Sequence, residues 1–224
     1  MFAAIHIVGT GRAGSAIRAR LRERSLRVTD GREPDPAAEL VLLCVPDSVI
    51  GEVAAAVPIG PWIAHVSGAT TLGALDPHEQ RFSVHPLQTL TRDRGAEQLD
   101  GAFGAIGGES SEALDRGRWL AETLGLRPFG VADADRALYH AAAVIGGNAI
   151  VTLHQAATRL LAEAGAPREA IVPLMLRTIE NGFDLTGPIA RGDRPTIDAH
   201  LAALEARAPD LVPLYRALVE ATKP

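Results

Sequence analysis

The sequence is nearly devoid of lysine and cysteine, and both shortages limit its chemistry. The one lysine, Lys223, lies beside the last residue, so no lysine can act as a catalytic group in the interior of the chain. The one cysteine, Cys44, excludes a disulfide framework. It falls in the apolar run 40–45, where a buried small hydrophobe is favoured over a nucleophile. The motifs HExxH and CxxC are also absent, so we predict no metal site.

Dense basic clusters and long apolar runs are missing as well. The formal net charge is −5, which argues against nucleic acid as a partner. No apolar run is long enough to span a bilayer, and no basic-then-apolar leader precedes the first predicted strand. We therefore expect a cytoplasmic protein that binds neither nucleic acid nor a membrane. A hydrophobic content of 47% indicates a globular chain of one large domain or two modest ones.

The N-terminal segment carries the motif around which the first half of the chain is organised. An apolar run leads into G-x-G-x-x-G at 9–14, and a helical pattern follows. In such a turn the first glycine permits the tight bend, the second lets a pyrophosphate approach the backbone, and the third lets the helix pack close to the strand. The helix N-terminus adds free N–H groups and a positive dipole end. We predict that this loop binds a dinucleotide through Gly9, Thr10, Gly11, Arg12, Ala13 and Gly14.

The identity of that dinucleotide depends on the end of the second predicted strand. Asp30 lies about twenty residues past the glycines, where an acid would accept a hydrogen bond from the ribose 2′-OH of NAD. Arg32 lies two residues further, where an arginine would neutralise the 2′-phosphate of NADP, the alternative being a solvated turn residue. The cofactor is therefore NADP or NAD. The next segment, 33–39, is short and holds two prolines, so we expect the usual crossover helix to be shortened or lost.

The remaining pattern predicts an α/β fold, a doubly wound and mostly parallel Rossmann-like sheet followed by a smaller all-helical domain. Strands are expected at 3–8, 26–29, 40–45, 62–66, 82–86, 102–106 and 127–131, with helices at 12–24, 49–57 and 110–124. Asp47 or Ser48 is expected to cap the second of these helices. Residues 1–131 are assigned to dinucleotide binding and 132–224 to substrate binding and dimerisation.

The second half shows no strand pattern. A single long helix is predicted over 133–164, capped by Asp133 and ended by Gly165. Further helices are predicted at 168–183, 196–207 and 210–221.

Candidate catalytic residues lie beyond the carboxyl ends of the strands, where open α/β sheets bind ligands. Val45 and Pro46 follow the third strand and would contact the cofactor. Ser67 would bond the nicotinamide ribose or the substrate, although an ordinary turn serine is an equal alternative. His85 would donate a proton to a reduced carbonyl or imine, the alternative being a structural histidine.

The predicted long helix supplies a third candidate. Asn148 is polar in apolar surroundings and needs a partner when buried. It would lie about 80° around the helix from His140, so that one cleft would face both. The neighbouring Gly146 and Gly147 would admit a ligand or another helix. Further on, Thr186 and Arg191 would bind an anionic substrate, or Arg191 would pair with Asp193, which is expected to cap the following helix.

Several segments together resemble a known family. They are 9–14, 42–46, 66–69, 83–89 (SVHPLQT), 139–148 and 185–193 (LTGPIARGD). The chain is similar to Rossmann-like proteins that carry a C-terminal helical domain of unknown function, near pyrroline-5-carboxylate reductase and the 6-phosphogluconate dehydrogenase-like superfamily. The resemblance implies an N-terminal NAD(P)-binding domain and a helical domain that forms a homodimer.

The chain departs from its relatives at the long helix. Related 3-hydroxyacid dehydrogenases carry a catalytic lysine four residues before an asparagine, where this chain has Val144. A reductase whose acid is His85, a hydroxyl or water fits better. Gly146 and Gly147 also replace the bulkier small residues that are common in the family.

We therefore expect an NAD(P)-dependent oxidoreductase that transfers hydride between a nicotinamide cofactor and a small carbonyl, imine or hydroxyacid substrate. The alternative is a non-catalytic nucleotide-binding or dimeric scaffold. An S-adenosylmethionine-dependent methyltransferase shares the glycine signal, but its nucleotide has no pyrophosphate that needs three such glycines.

Overall fold

A seven-stranded sheet forms the first part of the computed structural model, which describes residues 1–222. The strand order is β2-β1-β3-β4-β5-β6-β7, and every neighbouring pair is parallel except β5 and β6. The strands are β1 (Ala4–Val8), β2 (Arg27–Asp30), β3 (Leu40–Leu43), β4 (Trp62–His65), β5 (Arg81–Leu87), β6 (Phe103–Gly108) and β7 (Arg127–Gly130). The predicted α/β sheet is confirmed, including its mostly parallel character.

Three helices accompany the sheet and six follow it. They are α1 (Arg12–Glu23), α2 (Ile50–Ala55), α3 (Ser111–Thr123), α4 (Arg136–Gly146), α5 (Asn148–Glu163), α6 (Ile171–Glu180), α7 (Gly187–Ala190), α8 (Arg194–Arg207) and α9 (Val212–Ala221). Within residues 1–222, no helix combines the length and the apolar character that a membrane span requires.

The core lies on both faces of the sheet because the strands alternate their side chains between the faces. On β3, Leu40 and Leu42 belong to the cluster that packs against α1 and α3. Val41 and Leu43 belong to the opposite cluster, which includes Ile50 of α2. All four β3 side chains are fully buried, as a central parallel strand requires. The sheet is thus covered on both sides, and its strand ends are held in place.

The connection between β2 and β3 contains no helix, as its length and its prolines predicted. Asp35 organises the segment instead, since its carboxylate accepts hydrogen bonds from the Ala37 backbone N–H and from Arg27. This shortening leaves the end of the sheet near β2 without the cover of a crossover helix.

Two helix boundaries differ in their detail from the prediction, and a third agrees with it. Neither Asp47 nor Ser48 caps α2, because a 3-10 turn over Asp47–Val49 precedes it and the Pro46 carbonyl accepts the Val49 N–H. Asp133 does not cap α4, because its carboxylate accepts the backbone N–H of Leu72. The Asp193 cap of α8 is confirmed, with the carboxylate 3.2 Å from the Thr196 backbone nitrogen.

The prediction of a single helix over 133–164 is wrong, because the helix is interrupted at Gly147. Helix α4 ends at Gly146, and Gly147 takes a non-ideal conformation (φ −107°, ψ −68°) as the residue before α5. Two adjacent glycines are poor helix formers, which explains the break. The predicted end is confirmed, since Gly165 follows α5 with a φ of +75°.

The chain forms two compact units, residues 1–145 and residues 146–222 of the described chain. The sequence prediction divided the domains at 131. The first unit extends further because α4 is tied to the sheet: Arg136 donates to Ser83 of β5, and Tyr139 bonds to His85 of the same strand. The roles assigned to the two domains remain predictions.

Candidate functional site

The glycine loop has the tight geometry that its sequence indicates. Gly9 has a φ of +104°, and a Cβ there would lie 2.4 Å from the Cys44 carbonyl oxygen. A Cβ at Gly14 would lie 2.0 Å from the Gly9 carbonyl oxygen. By contrast, a Cβ at Gly11 would meet nothing within 4 Å. Gly9 and Gly14 are therefore required by the protein's own packing, whereas the space at Gly11 is open.

The N-terminus of α1 faces this loop without a side-chain cap. The first N–H groups of a helix have no intrahelical acceptor, so an anion can bind them together with the positive end of the helix dipole. Arg12, the first residue of α1, is exposed. Because Gly11 leaves open space and the donors are uncapped, the residues present fit the pyrophosphate of a dinucleotide.

A cavity of about 620 Å³ adjoins the loop. Its lining comes from the ends of β1, β2 and β3 and from α2, and it includes Gly9, Thr10, Arg32, Val45 and Val53. Strands β1 and β3 flank the point at which the chain order of the sheet reverses, which is where such sheets bind ligands. The predicted contacts Gly9, Thr10, Arg32 and Val45 therefore come together around one space. Pro46 follows Val45 and is exposed.

Asp30 and Arg32 differ in their partners. The Asp30 carboxylate pairs with Arg18 at 3.0 Å and with Arg22 at 3.3 Å. Arg32 lines the cavity, and it has no ion-pair partner in the described part of the chain. The cavity thus offers an unengaged guanidinium, while the nearby carboxylate is held by two arginines.

A second group of polar residues gathers around β5 and α4. His85 Nδ1 lies 2.7 Å from the Tyr139 hydroxyl, and the ring centroids of His85 and His140 are 6.0 Å apart. Both histidine rings press on Gly68, where a Cβ would lie 2.7 Å from His140 and 2.9 Å from His85. Gly68 is therefore the residue that lets the two rings lie side by side.

The surroundings of this cluster keep His85 and Tyr139 neutral. Burial lowers the pKa of His85 to about 4, and electrostatic interactions with His140 and Arg136 lower it further. Burial raises the pKa of the Tyr139 hydroxyl to about 12. At neutral pH the pair is therefore an uncharged imidazole bonded to an uncharged phenol. His85 Nε2 makes no hydrogen bond to another residue within 1–222.

Arg136 lies beneath this cluster and is almost wholly buried, with 1% of its surface exposed. It donates to Ser83 Oγ at 2.7 Å and to the carbonyl of Ser67, while its Nε is buried without a partner. His65 is also fully buried. Its Nδ1 accepts the backbone N–H of Ser67, and its Nε2 has no partner.

The other proposed catalytic residues have different surroundings. Ser67 Oγ accepts the backbone N–H groups of Ala69 and Thr70 and bonds to Thr70 Oγ1, so its hydroxyl is engaged within its own loop. Asn148 is the first residue of α5 and belongs to the second unit, whereas His140 belongs to the first. Because the helix is interrupted at Gly147, His140 and Asn148 lie on different helices and not on one helix as predicted. The roles of Ser67 and Asn148 remain predictions.

Cys44 is buried and its thiol pKa is raised to about 12 by burial, as expected for a small hydrophobe. Arg191 lines a cavity of about 640 Å³ within the second unit, together with Arg194 and Arg216. Within the described residues, no group of three or more potential ligands is arranged to hold a metal ion.

Sequence reasoning missed Arg136 and Tyr139 as members of the site. A usable signal existed, because Arg136, Tyr139 and His140 stand at i, i+3 and i+4 and therefore share one face of a helix. The prediction of one helix over 133–164 obscured this signal, because it paired His140 with Asn148, eight residues further along the chain. His65 was missed because it lies inside the predicted apolar strand 62–66.

The strand order of the sheet and the open glycine loop together define a Rossmann-like fold with an added helical unit. The model of a family described as a domain of unknown function, DUF2520, matches residues 102–222. The chain belongs to this family. The predicted resemblance to Rossmann-like proteins with such a helical domain is confirmed. No curated protein matches the sequence.

Solved structures share the fold over nearly the whole chain. A Bacteroides fragilis protein proposed to be an NADP oxidoreductase, BF3122, has a TM-score of 0.82 at 20% identity, covering 98% of this chain and 97% of its own. Protein TM1727 from Thermotoga maritima has a TM-score of 0.75 at 23% identity, covering 97% and 96%. The 1-pyrroline-5-carboxylate reductase of Streptococcus pyogenes has a TM-score of 0.61 at 17% identity, covering 98% and 96%.

Proposed function

We propose that this protein is an NADP(H)-dependent oxidoreductase that transfers hydride between the cofactor and a small carbonyl, imine or hydroxyacid substrate. The observation that carries the proposal is the uncapped N-terminus of α1 beside Gly11, opening on a cavity of about 620 Å³. The names of two structural neighbours, an NADP oxidoreductase and a pyrroline-5-carboxylate reductase, support the same class of reaction.

The charges at the end of β2 support a preference for NADP over NAD. Asp30, the acid that would read the NAD ribose, already pairs with Arg18 and Arg22, which compete for its oxygens, and it does not line the cavity. The same pairing reduces the negative charge that would repel a 2′-phosphate. Arg32 lines the cavity and offers the planar fork of donors that suits a phosphate.

When bound, the nicotinamide cofactor supplies or accepts the hydride. His85 is the group that moves the proton. With Nδ1–H donating to the Tyr139 hydroxyl, Nε2 is left as the atom that takes a proton from a substrate hydroxyl and returns it in the reverse reaction. Tyr139 fixes the ring and its tautomer, and Gly68 keeps space for the imidazole.

Calorimetric titration with NADPH and NADH tests the cofactor assignment. We expect NADPH to bind about 10-fold or more tightly than NADH, because an arginine–phosphate contact is a charge-assisted hydrogen bond. Arg32→Ala should remove that preference. Arg118→Ala is the matched control, because Arg118 is an exposed arginine of the same unit that lies on α3, away from the cavity.

Gly11→Val should abolish binding of both cofactors while the fold survives, since a side chain there meets no protein atom within 4 Å. Unchanged affinity in the folded variant would exclude the phosphate-binding role of the loop. Absence of binding by either cofactor at millimolar concentration would refute the proposal as a whole. Tight NADPH binding with no change in 340 nm absorbance across ketoacids, imines and hydroxyacids would favour the scaffold alternative.

We further propose that the protein forms a homodimer through its second unit. No residue of α5, α6 or α9 is buried within the single chain. Leu174 and Phe183 are 62% and 69% exposed, and other apolar side chains of α5 and α6 are exposed with them. A second copy of the chain is the occupant that the helical domain's predicted role implies, and light scattering of the purified protein tests it.

A further inference from the structure

Two histidine rings lie next to each other in the polar cluster, and only one of them is needed to move a proton. His85 and His140 have ring centroids 6.0 Å apart and share contact with Gly68. His85 uses Nδ1 for Tyr139, while the nitrogens of His140 make no hydrogen bond within the described chain. His140 therefore offers a donor beside the atom at which the proton is exchanged.

The charge beneath these rings is positive and buried. Arg136 is 1% exposed, and no carboxylate of residues 1–222 lies within the 4 Å of an ion pair with it. Burying an ion without a counter-ion is costly, so such a charge calls for a compensating group.

Two acids do act on Arg136 from a distance. Asp47 and Asp133 each raise its pKa, although burial has the larger effect and lowers it. Asp47 is exposed and Asp133 half-buried, so water screens both carboxylates more than it screens the guanidinium. The remaining titratable groups that face the cluster are His65 at the end of β4 and Tyr139 on α4.

We propose that the substrate carries a carboxylate next to its reacting carbon, bound by His140 and favoured by the buried charge of Arg136, with the reacting oxygen at His85. The substrate class is thus a 2-oxo acid, the corresponding imino acid, or the 2-hydroxy acid in the reverse direction. This inference rests on the proposed function.

The carboxylate would also prepare His85 for its task. A negative charge beside the ring offsets the influence of His140 and Arg136, which together with burial holds the pKa of His85 near 4. The bound substrate would therefore raise the fraction of protonated His85. In reduction, the carbonyl carbon gains hydride from NADPH, the oxygen gains the Nε2 proton, and His85 returns to its neutral form.

Oxamate and oxamide provide the test, since they have nearly the same shape and differ by one negative charge. Calorimetric titration of each into the NADPH-saturated protein should show oxamate binding about 10-fold or more tightly, as expected for charge-assisted hydrogen bonds. In NMR titrations of the histidine rings, oxamate should move the midpoint of His85 to higher pH and oxamide should not. Equal affinities, or an unmoved midpoint with oxamate bound, would overturn the inference.

Two variants assign the residues. His140→Gln and Arg136→Gln should each reduce the oxamate preference about 10-fold, whereas Arg118→Gln removes an exposed arginine of the same unit and should leave it unchanged. If Arg136→Gln does not fold, the comparison of oxamate with oxamide in the wild type and in His140→Gln still tests the inference. Measuring NADPH binding beside the oxamate titration separates this inference from the proposed function. A protein that binds NADPH but does not prefer oxamate over oxamide contradicts the inference alone.

Discussion

The two compact units bury their apolar side chains to very different extents. In the first unit, β3 is fully buried and two clusters cover the sheet on both faces. Among residues 146–222 of the second unit, only Ile197, Leu204 and Ala208 are buried, while Leu174 of α6 is 62% exposed. The first unit is stabilised by its own core, whereas the second retains the apolar surface that is typical of an interface. The candidate chemistry lies where the packing is tight, and the candidate assembly surface lies where it is not.

A matched pair of glycine variants gives the largest contrast. Gly14→Ala places a Cβ 2.0 Å from the Gly9 carbonyl oxygen, so we expect a loss of about 3 kcal/mol or more in the free energy of unfolding. Gly146→Ala meets nothing within 4 Å and replaces a poor helix former at the end of α4, so we expect a gain of up to about 1 kcal/mol. Denaturant unfolding measures both. A comparable loss in Gly146→Ala would show that another surface packs against that glycine.

Acid should weaken the first unit through its buried histidine His65. Its pKa is lowered to about 4, first by burial and then by Arg136, against an ordinary value of 6.5. Between these values the unfolded chain binds a proton that the folded chain does not, so stability falls as the pH is lowered from 6.5 towards 4. The shift corresponds to about 3 kcal/mol.

His65→Asn separates this effect from other titrations. The asparagine amide can still accept the Ser67 backbone N–H, but it cannot be protonated in this range. Thermal melts of the wild type and the variant at pH 7 and pH 4.5 should show a smaller loss of stability in the variant. Parallel pH profiles for the two proteins would contradict the assignment.

The second unit should respond to charge on its apolar face rather than to close packing. Leu174→Glu places a carboxylate on α6, and we expect the dimer dissociation constant to rise about 30-fold, as for a central interface residue. Light scattering over a dilution series measures it. Arg168→Glu, which changes a polar residue of the turn before α6, is the control and should leave the dimer intact. A wild-type protein that is monomeric at all concentrations would refute the dimer itself.

The fold could be predicted from the sequence because its determinants are local. The glycine loop, the apolar run over β3 and the prolines between β2 and β3 each dictate the conformation of a short segment. The cluster around His85 depends instead on contacts between residues that are far apart in sequence. Arg136 meets Ser67 and Ser83 only after α4 has packed on the sheet, and no periodicity reports such a contact.

The long helix shows a further limit. Asp133 is of a residue type that often caps helices, yet its carboxylate accepts the backbone N–H of Leu72. This tertiary contact overrides the local preference. The pair Gly146-Gly147 could have predicted the interruption, because glycine disfavours the helical conformation. The assignment of Asn148 to a cleft shared with His140 depended on a continuous helix, which the structure does not have.

The smallest effects come from a matched pair of helix caps, one in each unit. Ser110 caps α3 by accepting the Ala113 N–H, and Asp193 caps α8 by accepting the Thr196 N–H. Replacing either by alanine should cost about 1 kcal/mol. If the units unfold separately, calorimetry should show Ser110→Ala lowering one transition and Asp193→Ala the other. Only the transition moved by Asp193→Ala should depend on protein concentration, because a dimer stabilises the unit that forms it. Equal shifts of a single transition would mean that both units unfold together, and that the exposed helices are held by the same cooperative structure as the sheet.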